Sequence, residues 1–123
     1  MHPLMLCIHM EKERMLRLSF AAMALGVRVK AVKEEETGQT LGMLCGLDET
    51  VSVPAAKIGG EMLVFAFLPD DLLNRLLPAL RADGLPPVRL KAVLTPVNRG
   101  WTCGQLYEEL RGEAEAFAKG AKS

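Results

Sequence analysis

One hexapeptide is written twice in this chain: Val27-Arg28-Val29-Lys30-Ala31-Val32 returns as Val88-Arg89-Leu90-Lys91-Ala92-Val93, changed at a single position. The surroundings repeat in the same order. Ahead of each copy stand an apolar run (Met5 to Met10, Met62 to Leu68) and then a leucine- and methionine-rich stretch at helical spacing; behind each stands a threonine-led segment, Thr40-Leu41-Gly42 and Thr102-Cys103-Gly104. Such a repeat constrains architecture before any single residue does, because each unit has an apolar face that only its neighbour covers. A chain of 123 residues builds one core and not two, so the units must share it. The expectation is a single domain over residues 1–123, with one pseudo-repeat at 4–47, a linker at 48–61 and a second pseudo-repeat at 62–119.

Within each unit the hydrophobic period changes twice. Met5 to Met10 reads as a strand, Glu11 to Leu25 as a helix with Met15, Leu16, Leu18, Ala22, Met23 and Leu25 mostly on one side, and Gly26 as its stop. Val27 to Val32 is a second strand and Thr40 to Gly46 a short helix. In the second unit Met62 to Leu68 is a strand, and Leu72, Leu73, Leu76, Leu77 and Leu80 form a helical stripe interrupted by Pro78. A longer turn, Gly84 to Pro87, leads to the strand Val88 to Thr95 and a closing helix from Thr102 to Lys119.

The first and third strands are apolar throughout, as strands covered on both faces are; the second and fourth alternate apolar with basic residues, as half-exposed edges do. Basic edges also discourage pairing with another molecule. With right-handed crossovers the favoured fold is α/β: two βαβα pseudo-repeats forming one four-stranded parallel sheet in the order 2-1-3-4, with helices on both faces. The alternative is a ferredoxin-like α+β sheet in which the central strands run antiparallel and one face stays open.

Lysine plus arginine equals aspartate plus glutamate at 15 each, so no global basic field exists to hold nucleic acid or an anionic membrane. No apolar run reaches the roughly 20 residues of a membrane helix, and Glu11 and Lys12 interrupt what would be a signal peptide's apolar region. The chain is expected to be cytoplasmic. Three cysteines, Cys7, Cys45 and Cys103, without a Cys-x-x-Cys pair, argue against a disulfide framework or a structural zinc site. Glu34-Glu35-Glu36 and the carboxylates Glu108, Glu109, Glu113 and Glu115 lack histidine or aspartate partners and read as solvated faces, so no metal is expected. No glycine-rich phosphate motif follows either central strand, and no cofactor is expected.

The densest local signature runs from Leu90-Lys91-Ala92-Val93-Leu94-Thr95 through Asn98-Arg99-Gly100 to Trp101-Thr102. It resembles the bacterial family known as domain of unknown function 3783, whose members carry a similar Leu-Lys-Ala-Val-Leu-Thr strand, an asparagine, a tryptophan and a glutamate-rich closing helix. The resemblance covers the second half of the chain well and the first half loosely. It implies no activity.

Read from the residues, Thr102 and Gln105 have the spacing of a capping box, and Trp101 with Leu106 that of a hydrophobic staple. Gln39 and Met43 stand at the corresponding places of the first unit, which predicts a threonine-capped but short and weak helix there. The same loop also bears the candidate ligand-binding residues Thr95, Asn98, Arg99 and Trp101, whose amide, guanidinium and backbone amides near a helix start suit a carboxylate or phosphate. Cys103, in the first helical turn, is the candidate reactive thiol because the helix dipole lowers a nearby thiol pKa; its place at the head of an apolar stripe favours burial instead. Cys7 and His9 share a strand face by alternation, with a buried thiol favoured at Cys7. No paired acid and base or nucleophile and base is visible. The sequence therefore favours a non-catalytic module binding a small anionic ligand or a protein partner, as monomer or homodimer, over an enzyme acting on a small carboxylate- or phosphate-bearing substrate.

Overall fold

The computed structural model describes residues 2–47, 58–81 and 87–121. The greater part of the expected linker and residues 84–86 of the expected turn lie outside them. Strands β1 (Leu4–Ile8), β2 (Arg28–Val32), β3 (Met62–Ala66) and β4 (Leu90–Val93) form one sheet in the order β2-β1-β3-β4. Helices α1 (Lys12–Ala24), α2 (Leu41–Leu44), α3 (Asp70–Arg81) and α4 (Cys103–Ala121) complete the two units. The strand order and the two covered faces are those the hydrophobic pattern predicts.

The sheet is mixed, which corrects the expectation of a parallel one. β1 pairs parallel with β2 and β3 parallel with β4, but β1 and β3 run antiparallel, Leu6 opposite Val64. Two right-handed strand-helix-strand units joined head to head in this way place both crossover helices on one face; a parallel join would have put them on opposite faces. α1 and α3 accordingly pack together over Met5, Cys7, Leu63 and Phe65, while α2 and α4 cover Leu6, Ile8, Met62, Val64 and Ala66 on the other side. An antiparallel bridge between Thr40 and Thr102, the two helix caps, closes the second layer on the same approximate two-fold axis.

The two units correspond closely except at the hexapeptide. β1 and β3 match residue for residue, and the first residue beyond each, His9 and Phe67, takes the same left-handed turn (φ 52° and 63°), uncommon for residues other than glycine. The buried residues of α1, Leu18 and Ala22, match Leu76 and Leu80 of α3. In the edge strands, however, Leu4 pairs with Arg28 while Met62, its counterpart, pairs with Leu90 and not Arg89. Within the paired strands the duplicated hexapeptides are thus offset by one residue, which turns the side chains from Leu90 onward to the other face, while Val88, ahead of β4, stays in the α1–α3 layer with Val27. Val27 and Val29 join the α1–α3 layer; Leu90 and Ala92 join the α2–α4 layer. Lys30 lies 3.6 Å from Glu36, whereas Lys91 is turned the other way, its Nζ donating to the Val88 carbonyl at 2.6 Å. Thr40 stands as far beyond Arg28 as Thr102 does beyond Leu90, so the slipped alignment continues into the caps.

Helix ends follow local chemistry. Gly26 (φ 79°) ends α1 with its amide on the Met23 carbonyl and the Val27 amide on that of Ala22; Gly46 (φ 81°) ends α2 in the same way through Met43 and Gly42. The Thr102 hydroxyl accepts from the Gln105 amide at 3.2 Å and the Gln105 side chain accepts from the Thr102 amide at 2.8 Å, the reciprocal box read from the sequence. The Thr40 hydroxyl accepts from the Met43 amide, Gln39 and Met43 stand in the places of Trp101 and Gln105, and α2 is four residues long. Ile58 lies in the α2–α4 core, and a Cβ on Gly59 would stand 2.7 Å from the Tyr107 hydroxyl, so the end of the expected linker is a seat for α4.

Candidate functional site

The loop after β4 is held from within. The Asn98 side chain is buried; its Oδ1 accepts from the Thr95 amide at 2.8 Å and its Nδ2 donates to the Val93 carbonyl at 2.9 Å. The Thr95 hydroxyl accepts from the Asn98 amide at 3.1 Å, and the Trp101 amide donates to the Asn98 carbonyl. These bonds wind Asn98–Gly100 into a single 3-10 turn. A buried amide serving the backbone on both sides shapes the loop and has little capacity left for a ligand. Trp101 packs against the same cluster as Leu106, at the staple positions, and Arg99 is exposed on the outside of the turn. The structure thus keeps Thr95, Asn98, Arg99 and Trp101 within one loop, with the first two turned toward each other.

Cys103 is fully buried, and burial pushes its pKa up to about 12 against the lowering by backbone hydrogen bonding. Desolvation outweighs the helix start here, because charging a thiol inside an apolar layer costs more than a dipole returns. Cys7 is likewise raised to about 12 by burial and then by Glu61, and Cys45 to about 11 by burial, opposed by Lys30. Cys7 and His9 do not form a pair. The left-handed turn at His9 breaks the strand alternation and leaves the imidazole exposed while the thiol is buried.

Two further polar groups bear on the sheet. Arg14 of α1 donates through Nε to both carboxylate oxygens of Glu61 at 3.0 Å, tying α1 to the start of β3. Lys91 and Arg81 border a cavity of about 20 Å3 walled by Leu18, Leu63, Leu77 and Leu80, room for one water and too small for a carboxylate-bearing molecule. Burial followed by the Arg81 charge lowers the Lys91 pKa. Among the described residues no three His, Cys, Asp or Glu side chains converge as metal ligands, and no helix is long and apolar enough to cross a membrane.

The outward face of α1 is different in kind. Leu16, Phe20 and Met23 are 51%, 74% and 64% exposed, at the i, i+4, i+7 spacing that puts them in one stripe. Leu16 and Met23, which the sequence pattern assigned to the core side, therefore point away from it. The fold supplies its own control: the corresponding residues of α3 are Asn74, Pro78 and Arg81, all exposed and none a large hydrophobe. Packing the sheet does not require an apolar stripe there. Beside its C-terminal end, Met23, Gly26, Val27, Arg28 and Val29 line an open groove of about 470 Å3 along the edge strand β2. Neither the helical period nor the hexapeptide revealed this surface. Aligning the two helices on Leu18 with Leu76 would have.

Residues 61–117 match the family described as Domain of unknown function (DUF3783). The second half of the chain therefore carries the resemblance read from its Leu90–Thr102 segment. The DUF3783 match takes in β3, α3, β4, the Asn98 loop and most of α4. Helix α1, with its apolar outer stripe, lies in the other half. No curated protein and no solved structure matches the chain.

Proposed function

We propose that the protein is a non-catalytic binding module that holds a protein partner on the outward face of α1. The observation that carries this reading is the exposed stripe Leu16, Phe20, Met23, set against its polar counterpart on α3. Contiguous exposed apolar surface on a folded domain marks an interaction site, while single exposed hydrophobes do not. The open, shallow depression beside β2 extends the surface from Met23 to Val29. A catalytic role on a small carboxylate or phosphate has less to stand on: the three thiols are buried, and the Asn98 amide is engaged by its own loop.

The test is photo-crosslinking in cells that express the protein. Phe20→p-benzoylphenylalanine yields a discrete adduct that Leu16→Glu abolishes, and the same amino acid at Asn74 on α3 yields none. Equal labelling at positions 20 and 74, or none at 20, contradicts the proposal.

A further inference from the structure

We infer that the partner on α1 is a second copy of this chain, docked with its own α1 antiparallel across a two-fold axis through Phe20. This rests on the docking reading above and names its occupant. The stripe is nearly symmetric about Phe20, with Leu16 four residues before it and Met23 three after. An antiparallel copy centred on Phe20 sets Leu16 against the partner's Met23 and brings the partner's first helical turn over the groove lined by Met23, Gly26, Val27, Arg28 and Val29.

It is self-complementary in charge. The first turn region, Glu11, Lys12 and Glu13, carries a net negative charge, and the opposite end of the stripe carries Arg28; Arg17 lies on the flank between them. Glu13 and Arg28 are both exposed, and neither has an ion-pair partner among the described residues. Antiparallel docking places each Glu13 near the other copy's Arg28, two attractive pairs across one axis. Parallel docking would set Arg28 against Arg28. The chain's formal net charge of zero leaves no overall repulsion between copies to overcome.

The axis is distinct from the two-fold relation inside the chain, because α3 presents Asn74, Pro78 and Arg81 at the matching places. Only one of the two crossover helices is built for the contact, so association stops at a closed pair.

Sedimentation equilibrium of the full chain from micromolar concentration upward tests this directly. The expected result is a species of twice the 13.4 kDa chain mass. Phe20→Glu returns it to the monomer with an unchanged circular dichroism spectrum; Glu13→Arg, which strikes both symmetric pairs at once, weakens association about tenfold, ~1.4 kcal/mol for two lost exposed pairs and the repulsions that replace them, and adding Arg28→Glu restores it. A chain that stays monomeric throughout, or a dimer indifferent to Phe20→Glu, overturns the inference. Crosslinking at position 20 separates the two failures. An adduct of twice the chain mass supports the self-docked pair, an adduct of any other mass from a chain that sediments as a monomer overturns self-docking alone, and no adduct overturns the docking surface too.

Discussion

Phe65→Ala lowers the free energy of unfolding by about 4 kcal/mol, while Phe20→Ala, measured at a dilution where copies do not associate, leaves it within about 0.5 kcal/mol. The two phenylalanines separate what holds the fold from what the fold presents. Phe65 is 2% exposed on β3, packed between sheet and helices α1 and α3 with Met5, Leu63 and Leu76. Its removal loses the transfer free energy of a ring and leaves a cavity between sheet and helices that backbone on both sides prevents from closing. Phe20 is 74% exposed and its ring leaves almost nothing when truncated. Urea denaturation of the two variants measures the difference. A large loss at Phe20 would mean that the ring packs within the chain, and the docking surface would lose its central residue.

Alkaline pH destabilises the protein through its thiols. Cys7 and Cys103 are held at about 12 and Cys45 at about 11, against an ordinary value of 9.0. Because these folded-state values lie above the unfolded one, the stabilisation is fully present below about pH 9 and is lost as pH rises toward 11 and 12, where the unfolded chain releases protons that the folded chain keeps. Each thiol contributes a slope of about 1.4 kcal/mol per pH unit, so the three together remove on the order of 4 kcal/mol by pH 10. Denaturant midpoints between pH 8 and 10.5 read the slope, and Cys45→Ala removes about a third of the thiol contribution. Thiolate absorbance should appear together with unfolding, and thiol reagents should stay silent on the native protein. Thiolate rising below pH 9 with the native circular dichroism intact would show that at least one cysteine is accessible, and would return Cys103 to consideration as a reactive group.

What the sequence disclosed and what it withheld have separate physical causes. The continuous apolar runs of β1 and β3 told their central position, because burial on both faces leaves no polar alternation. The same continuity concealed their direction: a strand apolar at every position carries no face pattern to tell parallel from antiparallel neighbours. The caps at Thr40 and Thr102 were legible in detail because capping depends on residues three apart and on little else. The hexapeptide misled by its near-identity. Register is set by what each side chain meets in the folded sheet, and Lys91 and Lys30 meet different faces although they match in the sequence. In the candidate loop, Asn98 read as a ligand-facing amide because an asparagine near a helix start serves equally well as loop scaffold. The stripe on α1 escaped notice since a helix apolar on more than one side gives no single direction. Its meaning comes only from comparison with Asn74, Pro78 and Arg81, once Leu18 and Ala22 are seen to match Leu76 and Leu80.

The head-to-head joining of the two units is what sets both crossover helices on one face, and cross-strand NOEs in a labelled sample test it most directly. The predicted result is strong contacts between backbone α-protons at alternate pairs of the series Leu4–Ala66, Met5–Phe65, Leu6–Val64, Cys7–Leu63 and Ile8–Met62. Contacts in the opposite sense, with Leu4 beside Met62 and Ile8 beside Ala66, would make the central pair parallel and contradict the account.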